Sequence, residues 1–378
     1  MNMIKAKSSS IGSVLVVVSV LLVGCDSPVA DETAQRLVMH DLATGVMLPI
    51  LEEVDTEAAN LSKAVSAFCD APSPSTLSAA EDAFRVLRAP WKRTEAFRFG
   101  PSEDLRLGSA LDFWPARTDS IEAAFSAAPD PVTPAYVETL GTSARGMPTL
   151  EYLLFDPTGG PNAVLVSLGG AEAASVKRCG YARALAEVIA KDAAKLHNAW
   201  AEEGDAFVLE VANAGNGSAL FPTGQEGIGR VVNLLVSSMI AINENKLTAP
   251  LGTTTGTPDP SLVESRFSDN SAEDLLNALR GVEELYIGRH GEITGKGISS
   301  LVVGRSPAID AAVKKGLVDA QAKASALEAA GPLRLSITNN PAAVTATHES
   351  IKTARRYFST DVASVLGVSV TLSDTDGD

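Results

Sequence analysis

From about residue 32 to residue 359, apolar side chains recur at three- and four-residue steps in an Ala- and Leu-rich background. That period puts them on one stripe of a helix, and a chain built this way must bury its stripes against one another. The clearest case runs from Ala173 to Glu203. Leu185, Val188, Ile189, Leu196 and Trp200 line one side there, while Lys191, Asp192 and Lys195 look outward. Gly204 is placed to close it. Further helices are expected over about Glu32 to Phe68 (bent or broken near Pro49), Thr76 to Arg98, Ser120 to Ala127 and Thr149 to Phe155. The same period predicts Gln225 to Glu244, Ala272 to Tyr286, Ser306 to Ala330 and Ala342 to Ser359. Asn213 to Gly229 is Gly-rich and reads as irregular, Pro250 to Pro260 as a polar loop. The β-branched run Val362 to Val370 reads as a short extended piece. Strand-like alternation is scarce, and no glycine-rich nucleotide loop follows a strand. The fold class is therefore all-α, two helical-bundle domains packed together. Their border is expected near Gly204 to Gly224, giving bundles over 31–204 and 205–367 and an acidic tail over 368–378.

The N-terminus reads as an address. Lys5 and Lys7 precede an apolar run from Ile11 to Val23, the length of a signal-peptide core and short for a membrane span. The run ends in Leu22-Val23-Gly24-Cys25, which has the form of a bacterial lipobox. Residues 1–24 are expected to be a lipoprotein signal peptide and Cys25 the lipidated residue, with 25–30 a linker. Several acyl chains on one residue anchor firmly where a single chain is marginal. The expected partner is thus the membrane, through lipid at Cys25, with the body facing the periplasm. No later stretch offers 18 consecutive apolar residues.

The formal charge of the full chain is −15, and loss of Lys5 and Lys7 with the signal would make it more acidic by two. Such a balance opposes nucleic-acid binding through a basic surface. Of three cysteines, Cys69 and Cys179 remain if Cys25 is acylated. An oxidising envelope compartment favours a bridge between them, closing a loop of about 110 residues, worth up to about 4–5 kcal/mol in the chain-entropy model. Two buried free thiols are the alternative.

One short segment carries the functional question: Arg145-Gly146-Met147-Pro148-Thr149-Leu150-Glu151-Tyr152. It resembles the Gly-x-His-x-x-Glu signature of the imelysin family, with Pro148 standing where that pattern has His. Other blocks resemble the family in order and spacing. They are Trp91 through Pro101, Leu111-Asp112-Phe113-Trp114-Pro115, Phe68-Cys69 with Arg178-Cys179-Gly180-Tyr181, and Ser268 through Tyr286. The cysteine-bearing blocks lend the bridge support. The resemblance implies an all-α protein of two bundle-like domains with a site between them near the signature. It also implies a bacterial envelope location and a link to iron uptake. The founding member is described as a metalloprotease.

On that resemblance, Glu151 is the leading site residue and the one candidate metal ligand. Glu95, Arg145 and Tyr152 are the other candidates for a binding cleft. Arg145 is expected to pair with Glu151, and Tyr152 to pack in the core. A metal-bound water for hydrolysis needs about three protein ligands, and a proline supplies none. His40, His197, His290 and His348 form no His-Glu-x-x-His zinc motif. No catalytic residue is assigned. The leading expectation is a non-enzymatic, imelysin-like envelope lipoprotein supporting iron or other divalent-metal acquisition by binding a ligand or envelope iron-uptake proteins. A metallopeptidase, or a protein-interaction scaffold that has lost its metal site, are the alternatives.

Overall fold

A computed structural model describes residues 28–371. The expected signal peptide, the expected lipidation site Cys25 and the expected acidic tail beyond Thr371 lie outside the described residues. The chain is a succession of helices: α1 (Pro28–Leu42), α2 (Leu48–Asp70), α3 (Pro74–Arg93), α4 (Met147–Leu154), α5 (Ala173–Trp200), α6 (Gly224–Asn243), α7 (Ser271–Ile287), α8 (Pro307–Ala329) and α9 (Pro341–Arg356). Shorter helices fill the connections. Strand pairing among the described residues is one hairpin, β1 (Arg289–His290) against β2 (Ile293–Thr294). No described helix is long and apolar enough to cross a membrane.

The helices pack as two groups. α2 lies between α3 and α5; α7 and α8 pack together, with α9 against α8 and α6. α1 packs on α6, so the start of the described chain serves the second group. The groups meet where α7 lies against α3. Gly281 permits that approach: a Cβ there would sit 2.3 Å from the Arg93 carbonyl oxygen.

Two prolines shape the helices without ending them. Proline lacks an N–H, and its ring collides with the carbonyl four residues back. Ahead of Pro49 the chain widens into a π-turn over Ala43–Met47, and ahead of Pro250 into another over Glu244–Thr248. Each turn contains the residue four before the proline, Gly45 and Lys246. A π-turn absorbs the missing bond and re-aims one side chain. The expected bend near Pro49 is therefore a π-turn in a nearly continuous helix. The start of the expected loop at Pro250 is instead helical through Leu251.

Two further expectations change. Gly224 to Gly229 is helical, because Thr223 caps α6 in a reciprocal pair with Glu226. Val362 to Leu366 is π-turn and helix closed by Gly367 at φ +64°, since burial of Val362 and Leu366 outweighs β-branched preference.

Cys69 and Cys179 form a disulfide between α2 and α5, with a Cα–Cα distance of 5.7 Å. Replacing both by serine is expected to cost about 2–4 kcal/mol of unfolding free energy in urea denaturation. An unchanged transition midpoint would show that the bridge does not stabilise the fold.

Candidate functional site

The signature segment sits at the junction of the two groups. Its glycine has a steric reason: Gly146 adopts φ +79°, and a Cβ there would lie 2.5 and 2.6 Å from the carbonyl oxygens of Ala110 and Leu111. Pro148 occupies the first turn of α4, where an N–H is not needed. One turn on, Glu151 is 3% exposed. Its Oε1 accepts hydrogen bonds from the backbone N–H groups of Phe267 (3.1 Å) and Ser268 (2.8 Å) and from the Ser268 hydroxyl (2.7 Å). The glutamate thus ties α4 to the segment that leads into α7. A cavity of only about 10 Å3, room for about one water, lies among Arg88, Trp114, Pro148, Glu151 and Arg266.

Beside it lies a buried cluster of charge. Arg88 and Lys92 lie one turn apart on α3, and Glu95, at i+7, lies in the 3-10 turn Thr94–Ala96 that follows it. Asp112 follows a short helix over Leu107–Leu111, Lys246 comes from the π-turn ahead of Pro250, and Glu264 and Asp274 come from around the start of α7. Lys92 Nζ donates to Asp112 (2.6 Å), to Glu95 (2.9 Å) and to Glu264. Lys246 Nζ donates to Glu264 (2.5 Å) and Glu95 (3.1 Å). Arg88 bridges the two groups of helices, reaching Asp112 (2.9 Å) and Asp274 (2.6 Å). Trp91 Nε1 donates to Asp112 at 2.7 Å, and the Ser265 hydroxyl to Asp274 at 2.5 Å. The Arg98 guanidinium stacks over Trp91 and lies 3.6 Å from Glu95. Arg88, Lys92, Lys246 and Arg98 therefore balance Glu95, Asp112, Glu264 and Asp274.

Burial disfavours charge, so the balance decides the protonation states. Burial alone would raise the Glu95 carboxyl; Lys246, Lys92 and Arg98 overcome it and hold it well below the usual range. Asp112 is likewise held low, with Arg88 and Lys92 overriding burial. Burial and the neighbouring Arg88 would lower the Lys92 ammonium, but Asp112, Glu264 and Glu95 keep it above its ordinary value. Glu151 behaves oppositely. Burial pushes it up to about 7, against the bonds from Ser268 and the attraction of Arg88.

The structure brings Glu151 and Glu95 to the same junction. Arg145 and Tyr152 are engaged elsewhere. Arg145 pairs with Asp192 at 2.7 Å instead of with Glu151, because Glu151 points to the Ser268 segment while Asp192 comes up from α5. Tyr152 is half-buried, edge-on to Phe267, and donates to Glu122 at 2.8 Å. The histidines serve local pairs. His197 meets Asp55 (3.0 Å), and His290 meets Glu53 (3.0 Å) and Glu284 (3.3 Å), whose hydrogen bonds raise it to about 9. His40 and His348 each lie 3.3 Å from the acid next in sequence.

The sequence profile of imelysin (peptidase M75) matches residues 47–356. The chain belongs to the imelysin family. It is 29% identical over 252 residues to iron-regulated protein A of Synechococcus elongatus, covering 65% of this chain and 63% of that protein. The match therefore spans less than two thirds of that relative's length. Its fold is that of an iron-regulated protein A precursor from Parabacteroides distasonis, with TM-score 0.76 at 19% identity, covering 89% of this chain and 95% of the other. An imelysin-like protein from Psychrobacter arcticum gives TM-score 0.72 at 13% identity, covering 90% and 98%.

A metal centre at the imelysin signature does not fit these residues. Pro148 brings no ligand atom, and Glu151, with three hydrogen bonds on Oε1, has Oε2 alone to offer, short of the three protein ligands such a centre needs. Among the described residues, one trio of acids has ligand atoms within 4.8 Å of one another: Glu95, Asp112 and Glu264. The Lys92 ammonium donates to all three, so the chain's own cation stands where an ion would bind.

The raised Glu151 gives a signed expectation. Between about pH 4.5 and 7 the native state holds a proton that the unfolded chain has released, so stability falls as pH rises through this window. Glu151→Gln keeps the accepting carbonyl and has no proton to lose. In urea denaturation at pH 5 and pH 8, the parent should lose about 2–3 kcal/mol that the variant does not. Identical pH dependence in the two proteins would show that Glu151 is not titrating in the folded state.

Proposed function

We propose that this imelysin-family protein is a non-enzymatic envelope lipoprotein that serves iron acquisition by binding a ligand or partner protein. The observation that carries the non-enzymatic part is Lys92 seated among Glu95, Asp112 and Glu264. A hydrolytic metal would have to displace a buried, triply bonded ammonium and then find further ligands at a position held by Pro148. The neighbouring cavity, at about 10 Å3, offers no room for a peptide backbone. On this reading the signature region joins the two groups of helices, and recognition belongs to the outer surface. The iron link rests on family membership and on the likeness to iron-regulated protein A. The envelope anchor rests on the Leu22-Val23-Gly24-Cys25 lipobox.

Complementation under iron starvation separates binding from catalysis. A strain lacking the protein should grow poorly with an iron chelator present. Both the parent gene and Glu151→Gln should restore growth, because Gln preserves the three hydrogen bonds. A Glu151→Gln protein that accumulates normally but fails to restore growth would favour a catalytic carboxylate. Normal growth of the deletion strain would end the iron reading.

A further inference from the structure

A second cavity, far larger than the one at the signature, lies over the Cys69–Cys179 bridge, with a volume of about 460 Å3. That falls within the range of small-ligand sites, roughly 300–1,000 Å3. Its floor is one stripe of α5, from Val176 through Gly180 and Ala184 to Glu187. One wall is the segment Asp130–Pro134, and the other combines Pro72 with Leu168–Ala171. Most of this lining is apolar, and the disulfide pins α2 to α5 beneath it.

Charged residues of both signs line the cleft, and three of them, Lys177, Asp130 and Glu187, have no ion-pair partner among the described residues. Lys177 pairs with no carboxylate among the described residues, its ammonium lying 5.4 Å from the Phe125 ring centroid. The Nε of Arg183 is buried and unbonded, although its Nη2 reaches Asp70 at 2.5 Å. Glu187 on the floor and Asp130 on the wall have no cationic partner among the described residues. A purely apolar ligand would leave Lys177, Asp130 and Glu187 unmet, and a ligand of one sign would meet only the residues of the opposite sign. Lys177 and Glu187 are ten residues apart on one helix, about 15 Å. An extended chain of about four or five residues covers that distance.

We propose that this cleft binds a short, free-ended peptide with small apolar side chains. Its carboxylate meets Lys177 and its ammonium meets Glu187. The site is separate from the charge cluster and stands independently of the function proposed above.

Calorimetric titration of the purified protein with Ala-Val-Pro-Val-Ala tests it, using the N-acetylated, C-amidated form of the same peptide as control. Gly180→Leu fills the floor: a Cβ at Gly180 meets only Val132, at 3.9 Å, across the cleft. Replacing a mid-helix glycine also favours the helix, so this variant should fold. The free peptide should bind with Kd below about 1 mM and the capped peptide at least about tenfold more weakly. Gly180→Leu should abolish binding with its melting temperature retained. Lys177→Gln should weaken the free peptide and leave the capped one unchanged. Equal affinity for the two peptides, binding that survives Gly180→Leu, or no binding by the parent would each overturn the proposal.

Discussion

The Lys92 ammonium, bonded to Asp112, Glu95 and Glu264, is the contact on which the junction of this protein depends. Taking a charge out of water costs several kcal/mol per ion, and only close opposite charges with further hydrogen bonds offset it. Here every member of the cluster is met more than once. Asp112 is shared by Arg88, Lys92 and Trp91, and Asp274 by Arg88, Ser265 and Asn270. Removing one partner from such a set leaves an uncompensated buried charge, at a cost of about 3–5 kcal/mol. The arrangement is a weak source of net stability and a strong constraint on geometry. α3, the Asp112 segment, the π-turn at Lys246 and the start of α7 have one relative placement that pairs all the charges.

The signature segment adds the neighbouring fastening. Gly146 lets α4 approach the Ala110–Leu111 backbone, and Glu151 then reaches Phe267 and Ser268 across the junction. Neither task requires a histidine at position 148. The proline there starts α4 and walls a cavity with room for about one water. A site with its cation supplied by the chain has no need of a metal to hold its acids together. This is why the function proposed for this family member is placed on its surface.

The sequence made the fold legible because the helical period is a local signal. Most long helices match their expected spans, and the Cys69–Cys179 pair is joined. The expected extended run at Val362 to Val370 failed because burial of Val362 and Leu366 outranked β-branched preference. The site was half legible. Glu151 and Glu95 stood out through the family blocks, whereas Arg88, Lys92, Lys246, Glu264 and Asp274 did not. Charged residues on helices are ordinarily solvated, and nothing local marks a charged stripe as buried. The i, i+4, i+7 spacing of Arg88, Lys92 and Glu95 beside Trp91 was the available signal. Lys246 had another, since Pro250 four residues on forces the π-turn that aims it inward. Arg145 pairs with Asp192 and not with Glu151, since closeness in sequence to Glu151 carries no information on direction.

On this account Lys92 and Lys246 fill the carboxylate cage at the junction in place of a metal. The most direct test is calorimetric titration of the parent protein with Zn(II), Fe(II) and Fe(III)-citrate, with its melting temperature read with and without chelator. The account predicts no saturable one-to-one binding and an unchanged melting temperature. Stoichiometric binding that raises the melting temperature and disappears in Glu95→Gln would contradict it.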